Sequence, residues 1–357
     1  MKRKLTWAYM TIVIVLSMLV VAATLAACGG PYNFGSATFA DSQHGWVTGW
    51  DAAKKMTVLS RTTDGGVTWT RVGSRHTQSN ARVAGWAAFS TPTTGVWAVG
   101  INKLLYTTTG GRPWKLATVR RLNGGRFLGS GYFSAASFAS ARVGWATLVK
   151  GNAPVVANGA GGWIARTRNG GATWRVKKNV LGRGVSGGFV DVACPTELTC
   201  YALRAGAKGG VWATTDGGAT WSRHVLPGHT GDYEAIDFTN ELTGWAVGAD
   251  GMIAKTTDGG MTWTPQVSGV TTRLHGVHFM SVDGGLVGFA VGEKGVILST
   301  QDGGGQWVPQ VSGTQITLNA VEFVSSTEGW VVDEGGWTPK QPGMLLHTTD
   351  AGQTWQK

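Results

Sequence analysis

One cluster in this 357-residue chain has residue types suited to acid–base or nucleophilic work. In GDYEAIDF (231–238), Asp232, Tyr233 and Glu234 bring two carboxyls and a phenol within three residues. Hydrolysis of a glycosidic bond needs a pair of carboxylates, or a Tyr/Glu nucleophile with arginines holding an acidic sugar. The cluster suits that task poorly. Alternation along an extended chain points the three side chains in different directions, and a polar inter-blade loop entering a strand has the same composition. HGVH (275–278) places its two histidines on opposite faces of a strand, a poor metal pair. The residue pattern implies no metal, no cofactor and no enzyme.

The cysteines carry a different chemistry. The opening MKRKLTWAYMTIVIVLSMLVVAATLAAC has a basic start, a long apolar run and then small residues before Cys28. This ending resembles the bacterial lipobox, which implies removal of residues 1–27 as a signal peptide and lipid on Cys28. An uncleaved membrane anchor is the competing reading, since the run is about long enough to span. Both readings put the rest of the chain on the extracytoplasmic face of a bacterial membrane. Residues 28–35 then serve as a tether. Cys194 and Cys200 in CPTELTCYA form an even pair that an oxidising compartment would join, with Cys194 ending one strand and Cys200 opening the next.

Any such residues must be positioned by a repeated element. TTDGGATW (214–221) returns as TTDGGMTW (256–263), and five decayed copies bring the total to seven. Their closing residues are Trp69, Trp114, Trp174, Trp221, Trp263, Trp307 and Trp355, at steps of 45, 60, 47, 42, 44 and 48 residues. A period near 40–50 residues with Gly and aromatic markers fits one four-stranded blade per repeat. The fifth repeat reads as four short strands, EAIDFTN, GWAVGAD, GMIAKTT and TWTPQV, divided by turn residues. The fold expected is all-β: a seven-bladed propeller of four-stranded antiparallel blades over residues 36–357.

Within each repeat the string joins the third and fourth strands. Its Asp accepts hydrogen bonds from its own turn, and the glycines take conformations that other residues resist. Asp64, Asp216, Asp258, Asp302 and Asp350 keep the acid; Thr109 and Asn169 replace it in the second and third repeats, where weaker turns follow. These strings resemble the Asp-box (BNR) motif of sialidases, xyloglucanases, sortilin-type receptors and the photosystem II stability/assembly factors. In those families the motif is a peripheral structural turn. WTPQVSGVTTRLHGVHF followed by GFAVGEKGVILSTQDGGGQW is most similar to the assembly factors. That resemblance implies a non-catalytic propeller, lipid-anchored in cyanobacteria, that binds assembling membrane-protein intermediates and carries an arginine-rich surface. The alternative is a sialidase-like or other glycan-binding or glycoside-hydrolysing propeller; against it, no early arginine segment of the sialidase type is present.

Formal charge is +11, and losing Lys2, Arg3 and Lys4 with the leader leaves +8. Residues 101–208 hold sixteen Lys/Arg against Asp191 and Glu197, a local +14. Residues 209–357 hold six basic against fifteen acidic residues, a local −9. Such polarity orients a protein partner and speeds encounter, or else only keeps the surface solvated or near anionic lipid. The compartment argues against nucleic acid, and the chain reads as a monomer. The expected site is the ring face made by loops between blades and between second and third strands. Those loops hold the basic patch Arg75, Arg82, Arg120, Arg121, Arg126, Lys150, Lys177, Lys178 and Arg183, with Asp232, Glu234, Asp250, Glu293 and Glu334 opposite. PYNFGS (31–36) either pairs with the shortened last strand of blade seven, fastening the ring, or hangs as a loose tether.

Overall fold

The computed structural model describes residues 32–51, 54–76, 85–99, 103–120, 131–150, 162–176, 188–204, 209–228, 233–333 and 344–357. For 32–34, 131–132 and 149–150 the backbone alone is described. The expected signal segment 1–27 and Cys28 lie outside these residues.

Seven antiparallel sheets follow one another, each a meander in chain order. Blade one is Tyr32–Phe39, Gly45–Asp51, Met56–Thr62 and Thr70–His76, and blade five is Tyr233–Phe238, Gly244–Gly248, Ile253–Thr256 and Thr264–Gln266. The first strands of successive blades stand side by side around the centre, so the first strand is the inner one. Every inner strand starts on one face of the ring, here the upper, where second strands end and third strands begin. The Asp-box turns lie on the lower face.

Three sequence features make the ring. On the inner strand a Phe packs its ring over a Gly opposite it on the second strand. A Cβ at Gly45 would come within 2.2 Å of the Phe39 ring, and Gly95, Gly144, Gly244, Gly288 and Gly329 are closed off in the same way. In blades one, four, five and six the next residue of the second strand is an aromatic that stacks on the inner Phe of the following blade. The pairs are Trp46–Phe89 (3.5 Å), Tyr201–Phe238 (3.6 Å), Trp245–Phe279 (3.5 Å) and Phe289–Phe323 (3.7 Å). The Asp-box Trp then meets that Phe edge-on, as Trp263 meets Phe238 at 5.9 Å. Offset-stacked and edge-on pairs contribute beyond the apolar area they bury.

The ring closes by the same device. Phe39 stacks on Trp330 of blade seven at 3.7 Å, within a cluster that includes Val47, Trp69, Val332 and Leu345. The expected fastening by PYNFGS is not what happens: Tyr32 opens the inner strand of blade one, four residues before the expected boundary, and pairs with Asp51. The fourth position of blade seven is a single bridge, His347 with Gln356. Blade-to-blade packing, rather than strand addition, joins first to last.

Blade three carries a fifth strand. Thr118–Arg120, just beyond the outer strand of blade two, pairs in parallel with Thr173–Val176. Blade four replaces the Phe/Gly lock altogether: Cys194 and Cys200 stand in those two positions with their sulfurs bonded and Cα atoms 4.0 Å apart. They pack in one cluster with Trp145 of blade three.

Candidate functional site

Six of the seven inner strands carry a β-bulge at the same level. The register shifts fall between Phe34 and Ser36, Phe133 and Ala135, Phe189 and Asp191, Tyr233 and Ala235, Leu274 and Gly276, and Leu318 and Ala320. A bulge leaves one residue unpaired and re-aims it. The re-aimed residues, Gly35, Ser134, Val190, Glu234, His275 and Asn319, line a central channel of about 530 Å³. Small residues such as Ala88, Ala136 and Ala235 share its wall and leave it open.

The channel divides by charge as the sequence does. Blades one to three give it only uncharged residues, Ser, Thr, Ala, Gly and Trp86, while blades four to seven give it Asp191, Glu234, His275 and Glu322. Glu234 is held on both oxygens: Arg273 donates to Oε1, and the His275 Nδ1 lies 2.6 Å from Oε2. Burial opposes its ionisation, but the hydrogen bond and charge of His275, with those of Arg273, keep its carboxyl below the usual range. It therefore has no proton to give near neutral pH. Asp191 and Glu322 move the other way. Burial in the channel wall pushes each up to about 7, although backbone N–H groups of Ile236 and Val192 pull Asp191 down and His278 pulls Glu322 down. Asp191 also spans a blade seam, accepting Ile236 N–H at 2.9 Å; Asp237 does the same for Phe279 N–H at 2.7 Å.

This geometry corrects several sequence expectations. Tyr233 and Glu234 are in a strand, not an inter-blade loop. Tyr233 is buried and donates its hydroxyl to Pro227 O at 3.0 Å, while Glu234 faces the channel and not the upper surface. Asp232 and Glu334 lie outside the described residues. His275 is the bulged residue that lines the channel beside Glu234, whereas His278 is not among the lining residues and its Nδ1 lies 3.8 Å from Asp237. Among the described residues no group of three or more His, Cys, Asp or Glu could hold a metal ion.

The basic patch is only partly visible. Arg82, Arg121, Arg126, Lys177, Lys178 and Arg183 lie outside the described residues, and Lys150 is described in backbone only, at the upper end of Gly144–Lys150. Arg75 and Arg120 are exposed but stand in strands, not loops, at the upper ends of outer edges on blades one and three. The parallel fifth strand sets Arg120 beside exposed Arg175, a neighbour the sequence reading missed. Nothing local marks a crossover between blades. Asp250 and Glu293 occupy the upper turns of blades five and six.

The Asp-box residues are turn residues. Asp216 Oδ1 accepts the Thr214 hydroxyl (2.8 Å) and Ala219 N–H (2.8 Å), and Oδ2 accepts the Thr220 hydroxyl (2.6 Å). The Thr262 hydroxyl and N–H likewise hold Asp258 down to about 2. Asp64, Asp302 and Asp350 each accept from the Thr two residues earlier in their own turn. Asn169 keeps this pattern, accepting from Thr167 Oγ1 (3.0 Å) and Thr173 N–H (2.9 Å). Thr109 does not; its hydroxyl turns to Arg112 O.

Seven blades locked in this way around an open channel, with the box turns on the periphery of one face, define an Asp-box seven-bladed propeller. Its last three blades have a nearer likeness. Residues 230–309 and 269–357 match the family model of the photosynthesis system II assembly factor YCF48. A solved YCF48 bound to a D1 peptide is 19% identical, with a TM-score of 0.62 over 90% of this chain and 93% of that one. YCF48 from Cyanidioschyzon merolae is 18% identical, with a TM-score of 0.62 over 91% of this chain and 98% of that one. At that identity the two structures establish a shared fold. No curated protein matches the chain.

Proposed function

We propose that this chain is a non-catalytic extracytoplasmic propeller, tethered to a membrane through lipid on Cys28, that binds partner proteins as an assembly or stability factor. The match of blades five to seven to the YCF48 family model carries the reading. A similar YCF48 is bound to a D1 peptide, and a segment of a membrane-protein assembly intermediate is the partner class assigned here. The state of Glu234 supports the absence of catalysis. Both its oxygens are taken by Arg273 and His275, and Asp191, a second channel carboxyl, is bound to two backbone N–H groups.

Binding falls to the basic half of the upper rim, where Arg75, Arg120 and Arg175 are exposed. Crowded arginines gain most from an acidic partner that bridges them through charge-assisted hydrogen bonds. Replacing Arg120, Arg121 and Arg126 with Ser should slow partner capture from native membranes about tenfold, mainly in the on-rate, with the melting temperature unchanged. Unchanged capture would remove the site. Hydrolysis of a fluorogenic sialoside or glucan, lost in Glu234→Gln, would remove the non-catalytic reading.

A further inference from the structure

The inner strand of blade one begins at Tyr32 on the upper face of the ring. Four peptide steps separate Tyr32 from Cys28, a reach of at most about 14 Å when fully extended. Strands of the lengths found here raise the lower face roughly 20 Å beyond the upper one. An anchor this short holds one face of the ring at the bilayer and keeps the other away.

The upper face has side chains suited to that position. The residue directly after the outer strand is Val225 in blade four, Val267 in blade five and Val311 in blade six, and these are 56%, 89% and 82% exposed. They form a row of apolar corners, one per blade, and Arg75, Arg120 and Arg175 stand on the same upper rim in blades one and three. Apolar corners that enter the headgroup layer, with cations elsewhere on the same face, suit a peripheral membrane contact. The lower face exposes Leu198, Leu242 and Met261 as well, so apolar exposure alone does not choose between the faces; the reach of the anchor does.

We infer that the propeller rests upper-face-down on the bilayer, with Val225, Val267 and Val311 in the headgroup layer. This rests on tethering through Cys28. The channel and the basic rim then open toward membrane-embedded segments, and the Asp-box face looks away. Asp250 and Glu293 on the same half limit the pull of anionic lipid there, so the valine contact should depend little on lipid charge.

The test uses the full-length chain, expressed and processed in its host, with Val267→Cys or Met261→Cys labelled by a fluorophore. Each is reconstituted into phosphatidylcholine vesicles, with and without phosphatidylglycerol, containing a headgroup-level spin-labelled quencher. Quenching should be at least threefold greater at 267 than at 261 in both lipid mixtures. Equal or reversed quenching in protein whose mass shows lipid on Cys28 overturns this orientation and leaves tethering intact. A mass without lipid sinks the tethering reading, and the orientation falls with it. If the label at 267 is shielded from lipid and aqueous quenchers alike in native membranes, the face is covered by protein and the bilayer assignment is wrong.

Discussion

Asp258 and Asn169 occupy the same place in two turns and differ by one charge. Both accept from the Thr two residues earlier and from the backbone N–H four residues later. The carboxylate adds a bond from the Thr262 hydroxyl at 2.6 Å. A carboxyl whose folded pKa is lowered contributes stability above its unfolded value, near 4, and loses it as pH falls through its folded value. With Asp258 held at about 2, Asp258→Asn should melt a few degrees below wild type at pH 7, and the gap should close between pH 4 and 2. A pH-independent gap would mean that packing, not charge, carries the turn. The cysteine pair offers a second test at this scale. Since Cys194 and Cys200 stand where other blades have Phe and Gly, Cys194→Phe with Cys200→Gly should rebuild the lock against Trp145. The double variant should melt well above Cys194→Phe alone, where the Cβ at 200 meets the new ring as a Cβ at Gly45 would meet Phe39. Mass spectrometry of the non-reduced protein should show no free thiol at 194 or 200.

The inner strand is the element that decides the channel, and its carboxyls give it a pH dependence of the opposite sign. Asp191 and Glu322 have pKa values raised to about 7, so their protonated forms favour the fold. That contribution is complete below the unfolded values near 4 and is lost as pH rises through about 7. His278 faces Glu322 and tempers the effect, while the charge of Asp237 adds to it. Glu322→Gln removes one of these titrations and should raise stability at pH 8 by roughly 1–3 kcal/mol while changing little at pH 5. Urea denaturation at the two pH values measures it; a variant equally shifted at both would show that Glu322 does not titrate in the wall. The same strand explains the misreading of GDYEAIDF. The bulge at Glu234 and His275 has no Pro or Gly at the extra residue to betray it, and one inserted residue reverses which side chains face inward.

At the scale of the ring, the blade seven to blade one seam is one of several similar seams, and breaking it should release the whole circle. Phe39 and Trp330 stack at 3.7 Å and lie almost fully buried. Phe39→Ala should cost about 3–5 kcal/mol. Adding Trp330→Ala should cost clearly less than its own single effect, since the pair is lost already. Urea titrations of the two single variants and the double close the cycle, and strict additivity would show that the stack is not what holds the ends together. Deleting residues 31–35 should also lower the melting temperature. The deletion removes the start of an inner strand rather than a loose tether.

The sequence alone determined what repeats. The seven box strings, the GW strands and their spacing sufficed for blade number, strand order and the turn role of Asp64, Asp216, Asp258, Asp302 and Asp350, because each is a local device copied along the chain. It also carried the split between a basic and an acidic half, which composition records directly. Only the tertiary structure decided what depends on neighbouring blades: that Glu234 is clamped by Arg273 and His275 of the next blade, that Arg120 joins the edge of blade three, and that Phe39 closes the ring on Trp330. Such contacts join residues 39 to 291 positions apart, and neither periodicity nor turn chemistry encodes which inner strand lies beside which. That is set by the angle at which one blade packs on the next, a property of the closed ring as a whole.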